Sequence, residues 1–188
     1  MPSPCDEWLV VVDRQKVFAE SEWSDWACPD DSYHATDTAF ARLARAYGSR
    51  VVYTRYIAPT PAEGAWIDYF KDWPQFLVPP DNPMYDLTDD TAVLAQGHTV
   101  VSRNTFGKWG DELRGAVHDA GSIALCGVAT DCCVIATALA AADAGVAVRV
   151  AADACAGSSR ENHQRALDTM ALFAPLITIT SSEEIMGR

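Results

Sequence analysis

The residues best suited to chemistry are Cys133, Asp13 and Arg103. Cys133 sits in Gly127-Val128-Ala129-Thr130-Asp131-Cys132-Cys133-Val134, after the apolar run Ser122–Cys126 and before the Ala-rich segment Val134–Ala144. That order reads as a strand feeding through a short turn into a helix, with Cys133 in the helix's first turn. Free N–H groups and the helix dipole favour negative charge there. The expectation is a thiol with a depressed pKa and more of the nucleophilic thiolate. Asp13 closes the apolar run Leu9–Val12, and Arg103 follows Thr99–Val101, with Lys108 five residues on. Taken singly, each has a plainer reading: a small buried cysteine, an acid that caps a turn, an arginine in a surface ion pair. Together they are more specific. Ligands bind at the carboxyl ends of strands in open α/β sheets, and there these residues supply a base, a cation and a nucleophile, as covalent acyl transfer needs.

The elements that must hold them are legible as alternating patterns. Leu9–Val12, Arg50–Thr54, Thr99–Val101, Ser122–Cys126, Val146–Ala152 and Leu176–Ile179 read as strands. Thr36–Tyr47 reads as an amphipathic helix stopped by Gly48, and helices are predicted over Asp111–Asp119, the Ala-rich segment and Ser159–Phe173. Ser181 or Ser182 caps a short last helix through Glu183 and Glu184. Continuous Val/Ile/Leu runs between helices indicate a parallel sheet buried on both faces. Right-handed crossovers then make a doubly wound, three-layer α/β/α domain with a six-stranded, mostly parallel sheet, spanning residues 1–188 as one domain.

One segment breaks the alternation. From Ala58 to Gly97 the chain is rich in Pro and rings, including Trp66, Tyr69, Phe70, Trp73, Phe76 and Tyr85. A connection of that length is usually functional. It is expected to wall the active site, with Arg55, Trp66, Tyr69, Trp73, Lys108 and Thr130 as candidate substrate contacts. Rings packed on themselves or a subunit interface are the alternatives, and a homo-oligomer (dimer or tetramer) is expected.

The remaining composition mostly excludes. A net charge of −12 argues against nucleic acid or an anionic membrane as partner. No apolar stretch is long enough to span a bilayer, and Met1–Trp8 has neither the basic region nor the apolar run of a secretory signal. Six cysteines without a Cys-x-x-Cys pair read as reduced cytoplasmic thiols and not a zinc site. The expected partner is a small-molecule substrate.

Three stretches resemble the isochorismatase-like cysteine hydrolases, a family that includes nicotinamidases and N-carbamoylsarcosine amidohydrolases. Val11-Val12-Asp13-Arg14-Gln15-Lys16-Val17-Phe18 resembles the first-strand signature, an apolar run closing on Asp-x-Gln-x-x-Phe. Gly127–Val134 resembles the nucleophile turn, and Ala151-Ala152-Asp153-Ala154-Cys155 an Asp-Ala strand end. The resemblance runs in order from about Trp8 to Thr180. It implies a six-stranded parallel fold and an Asp–Lys–Cys triad working through a thioester. Carried over, Cys133 is the nucleophile, Asp13 the general acid/base, and the amides of Ala129 and Cys133 the oxyanion donors, with a cis peptide before Ala129. The cysteine favours amide chemistry over vinyl-ether hydrolysis, which needs no acyl intermediate.

Two departures follow. The Asp-x-His that binds a metal in nicotinamidases falls here on Tyr56 and Ala58, so neither a metal nor another cofactor is expected. The triad cation falls on Arg103, with Lys108 expected to point to the pocket rim or solvent. Cys132 is expected to face the sheet or a neighbouring helix, about 100° round the helix from Cys133, and His118 and His163 to be solvated helix residues. The reading is a metal-independent hydrolase cleaving a C–N bond of a small amide, carbamoyl or ureido compound. The alternatives are an isochorismatase-type vinyl-ether hydrolase, a redox-active thiol protein and a catalytically impaired binding module.

Overall fold

Trp8–Val12 (β1) is apolar along its length because it runs through the middle of the molecule. In the computed structural model, which describes residues 6–19, 28 and 31–187, Leu9 to Val12 are fully buried. The other strands are Val51–Tyr56 (β2), Thr99–Arg103 (β3), Ser122–Val128 (β4), Ala147–Ala156 (β5) and Ile177–Thr180 (β6). They form one sheet in the order β3-β2-β1-β4-β5-β6, every neighbouring pair parallel. The order reverses on either side of β1, and the carboxyl ends of β1 and β4 border that switch point, where α/β sheets open a crevice. The Met1–Cys5 part of the expected signal-free start lies outside the described residues.

Helices cover both faces. They are Lys16–Ala19 (α1), Ser32–Ala35 (α2), Asp37–Tyr47 (α3), Ala65–Asp72 (α4), Asp89–Leu94 (α5), Asp111–Ala116 (α6), Ile135–Asp143 (α7), Arg160–Ala171 (α8) and Ser182–Ile185 (α9). Gly48, at a φ of 58°, ends α3 as expected, and Ser181 with Glu184 forms a capping box on α9. The predicted helix from Asp111 to Asp119 stops early. His118 and Asp119 adopt positive φ, 53° and 54°, so the chain leaves the helix after a single α-turn's worth of core contact through Leu113. His118 therefore lies outside a helix, exposed, with its ring against Trp8.

The strand ends also run on further than their apolar patterns. β4 reaches Val128, and β5 reaches Ala156 past a register shift against Leu125–Gly127. Gly127 is required at this place: its φ is 114°, and a Cβ would overlap the carbonyl of its β1 partner Val12. Asp153, in the irregular part of β5, is exposed and bonds Ser182 N and Oγ at 2.7 and 2.6 Å, so it secures α9.

The 58–97 segment is not structureless. It holds α4, α5 and 3-10 turns at Pro74–Phe76 and Pro83–Tyr85. Phe70, Phe76, Met84 and Tyr85 bury against Val17, Phe18, Tyr56, Val128 and Ala129, a second apolar cluster above the carboxyl ends of the central strands. Gln15 ties this layer down. Its amide nitrogen donates to the carbonyls of Tyr56 and Tyr85, at 2.8 and 2.7 Å, and its oxygen accepts from Tyr56 N at 2.7 Å.

Candidate active site

Asp13 leaves β1 with a φ of 47° and is completely buried. Its Oδ1 accepts from Thr54 Oγ1 at 2.6 Å, which fixes the carboxylate against β2. Its Oδ2 has the Lys108 ammonium at 2.9 Å and no further hydrogen-bond partner among the described residues. Lys108 is likewise completely buried. Its Nζ donates to Thr105 O at 2.6 Å and lies 5.1 Å from the Tyr56 ring centroid. Its backbone N–H donates to Thr137 Oγ1 at 2.9 Å, and that hydroxyl donates to Cys133 O at 2.6 Å. Thr137 thus locks the lysine loop to the turn that carries the cysteine.

The cation is a correction to the sequence reading: Lys108 reaches Asp13, and Arg103 does not occupy that place. Arg103 ends the edge strand β3, in register with Tyr56, and its guanidinium covers the Cα of Gly110. It lines a separate surface groove with Pro59, Pro80 and Glu112. The loop after β3 folds back over the sheet and brings in the lysine, which spacing along the chain does not reveal.

Cys133 lies in a π-helical turn, Thr130–Val134, that precedes α7. The peptide between Val128 and Ala129 is cis. The expectation that Cys132 faces the sheet or a neighbouring helix fails. Cys132 does not turn away; it lines the same cavity as Cys133 and is hydrogen-bonded to it. This is a second correction, and it bears on the third. The Cys133 thiol is held well above its ordinary pKa, first by the Cys132 hydrogen bond, then by burial and by the Asp13 charge, with Lys108 opposing. The Cys132 hydrogen bond first, and desolvation after it, work against the thiolate expected at the helix start.

The cavity over Cys133 measures about 260 Å³. Its walls are the rings of Phe18, Tyr56, Tyr69 and Phe106, and its polar side is Asp131, Ser158, Cys132, Cys133 and Ala129. Asp131 accepts from Ser158 N at 2.8 Å and Ser158 Oγ at 2.6 Å. Of the sequence-predicted contacts, Tyr69 is in the wall. Trp66 stands behind it, edge-on to Tyr69 and Phe106, and Trp73 packs on Phe76 away from the cavity. Arg55 points to the opposite side of β2 from Tyr56, donates to Ser102 Oγ and lines a different groove with Lys16 and Asp86. Thr130 is completely buried, its hydroxyl 2.8 Å from His163 Nδ1. That pairing also corrects the solvated reading of His163, whose pKa is lowered by burial against the pull of Asp131. Thr137, Ser158 and His163 were missed by sequence reasoning. No motif marks them, because their roles arise from contacts between distant helices and turns.

The residues at the nicotinamidase-type metal positions do not suit an ion. Tyr56 and Ala58 are buried in the aromatic cluster, and among the described residues no group of three or more His, Cys, Asp or Glu stands close enough to hold one. Among the described residues, too, no helix is long and apolar enough to cross a membrane.

A family profile described as an isochorismatase domain matches residues 7–181. Comparison with curated protein sequences returned no match. Solved structures share the fold at low identity. A cysteine hydrolase from Pseudomonas syringae pv. phaseolicola 1448A superposes with a TM-score of 0.83 and 20% identity, covering 99% of this chain and 93% of that one. An isochorismatase-like hydrolase from Alkaliphilus metalliredigens has a TM-score of 0.79 and 14% identity over 96% and 97%. A nicotinamidase from Bacillus subtilis has 0.72 and 17% over 94% and 99%.

Proposed function

Because the chain belongs to the isochorismatase family, we propose that it is a cysteine-dependent hydrolase that cleaves the C–N bond of a small amide, carbamoyl or ureido compound through a thioester. The observation that carries this reading is the buried Lys108–Asp13 pair beside Cys133, at the base of a small ring-walled cavity. A base, its cation and a nucleophile are what acyl transfer requires.

The chemistry begins at the Cys133 thiol. Asp13 takes the Cys133 proton as the sulfur attacks the carbonyl carbon. Lys108 keeps the Asp13 carboxylate oriented and offsets the negative charge that passes to sulfur. The backbone amides of Ala129 and Cys133 hold the oxyanion, a contribution of about 3–4 kcal/mol per donor in comparable sites. Asp13 returns the proton to the leaving nitrogen as the C–N bond breaks. With Asp13 again ionised, it removes a proton from water, which attacks the thioester. The acid leaves, and the Cys133 sulfur regains its proton from Asp13. No step runs through a metal, since the residues at those positions do not fit one.

The test is a panel of primary amides, aryl amides and ureido compounds assayed for released ammonia, with intact mass spectrometry for an acyl-enzyme. Turnover that vanishes in folded Cys133→Ala supports the reading. Product from a vinyl ether, with no ammonia from any amide, overturns it.

A further inference from the structure

The cavity carries an uncompensated charge. Asp13 and Lys108 neutralise each other beneath Cys133. Asp131, on the polar side, faces the same space; among the described residues its hydrogen-bond partners are the hydroxyl and backbone N–H of Ser158, and the nearby His163 ring is kept towards its neutral form by burial. No Lys or Arg lines the cavity among the described residues. The cations near the lining residues in sequence lie elsewhere: Lys16 and Arg55 line one groove, Arg103 a second and Arg160 a third, Lys71 pairs with Asp68, and Arg14 is tied to Thr36 and Asp37. A carboxylate in a low-dielectric cleft acts strongly on the charge of whatever enters.

We infer that the site accepts a small, flat, neutral or cationic amide and rejects substrates bearing a carboxylate, with Asp131 as the specificity-determining residue. This deepens the proposed function and rests on it for the reaction. The four ring walls favour a planar or cationic group through stacking and cation–π contact. The volume of about 260 Å³ lies just below the usual range for ligand pockets, which suits a small substrate. An anionic group confined there meets Asp131 with no cation to pair it, which costs binding at every step of the reaction.

Charge selection is measurable without knowing the substrate. Iodoacetamide and iodoacetate differ chiefly in charge and attack the same thiol. Their rates at Cys133 are read by mass spectrometry of its peptide, in the Cys132→Ala background, and divided by their rates with free glutathione at the same pH. The normalised preference for iodoacetamide is expected to be at least about tenfold. It should shrink severalfold in Asp131→Asn, whose amide oxygen still accepts from Ser158. A normalised preference near one, or one unchanged in Asp131→Asn, overturns the inference. Should Asp131→Asn fold poorly, Asp131→Thr is read in its place. A matched pair of aryl amides, with and without a ring carboxylate, then reads the same discrimination in kcat/KM. If the carboxylate is preferred, the inference fails while the hydrolase reading stands. If no amide is cleaved but alkylation is charge-selective, the hydrolase reading fails and the charge selection stands.

Discussion

Lys108 Nζ lies 2.9 Å from Asp13 Oδ2, and both side chains are completely buried. Lys108→Ala is expected to lower kcat/KM by about 10²–10³, and Arg103→Ala to change it by no more than about threefold. Removing the lysine also strands a buried carboxylate, at a cost of about 3–5 kcal/mol. The double variant Asp13→Asn/Lys108→Met should therefore regain stability without activity. Steady-state rates and thermal melts of the three proteins separate the chemical role from the structural one, and an Arg103 variant more damaged than Lys108→Ala would reject the assignment.

Cys133→Ala is expected to abolish turnover in a folded protein, while Cys132→Ala keeps substantial activity. Because the Cys132 hydrogen bond is the largest influence holding the Cys133 pKa up, Cys132→Ala should move the pH profile of Cys133 alkylation to lower pH. An unchanged profile would show that burial and Asp13 alone set the thiol.

Gly127→Ala tests the junction of β1 and β4. The added Cβ meets the Val12 carbonyl at a backbone angle that suits glycine. A loss of about 2–4 kcal/mol is expected, visible as a drop in Tm of roughly 5–15 °C for a chain of this size. A melt within a degree or two of the parent would mean that the strands separate more easily than their packing indicates.

Stability should depend on His163 in mildly acid solution. Its folded pKa is lowered from 6.5, by burial first, so the unfolded chain binds its proton more readily. The neutral ring's contribution is present in full above about pH 6.5 and is lost as pH falls through the folded value. Urea midpoints at pH 7.5, 6.5 and 5.5 should fall less steeply in His163→Asn than in the parent over the acid part of that range. Parallel slopes would remove His163 from the account.

Dialysis against a strong chelator is expected to leave the hydrolysis rate unchanged. The positions that would hold an ion carry Tyr56 and Ala58, inside an apolar cluster. Activity that disappears and returns with added Zn²⁺ or Fe²⁺ would overturn this.

The sheet, its parallel sense and the strand ends bearing Asp13 and the Cys133 turn were legible in the sequence. These rest on local patterns: apolar runs of strand length, helix periodicity between them, and glycines at turns. Gly48 marked a real helix stop for the same reason. What only the tertiary structure decided is which side chains meet. Whether Arg103 or Lys108 reached Asp13 depended on how the loop after β3 folds back and is pinned by Thr137, a residue of α7. The Cys133 thiol is shifted by Cys132 and by burial, neither of which helix periodicity encodes. His163 met Thr130 because α8 packs on that turn. Local propensity acts over neighbouring residues, whereas hydrogen bonds, ion pairs and desolvation act through space. An active site is assembled from the second kind of interaction, on a scaffold specified by the first.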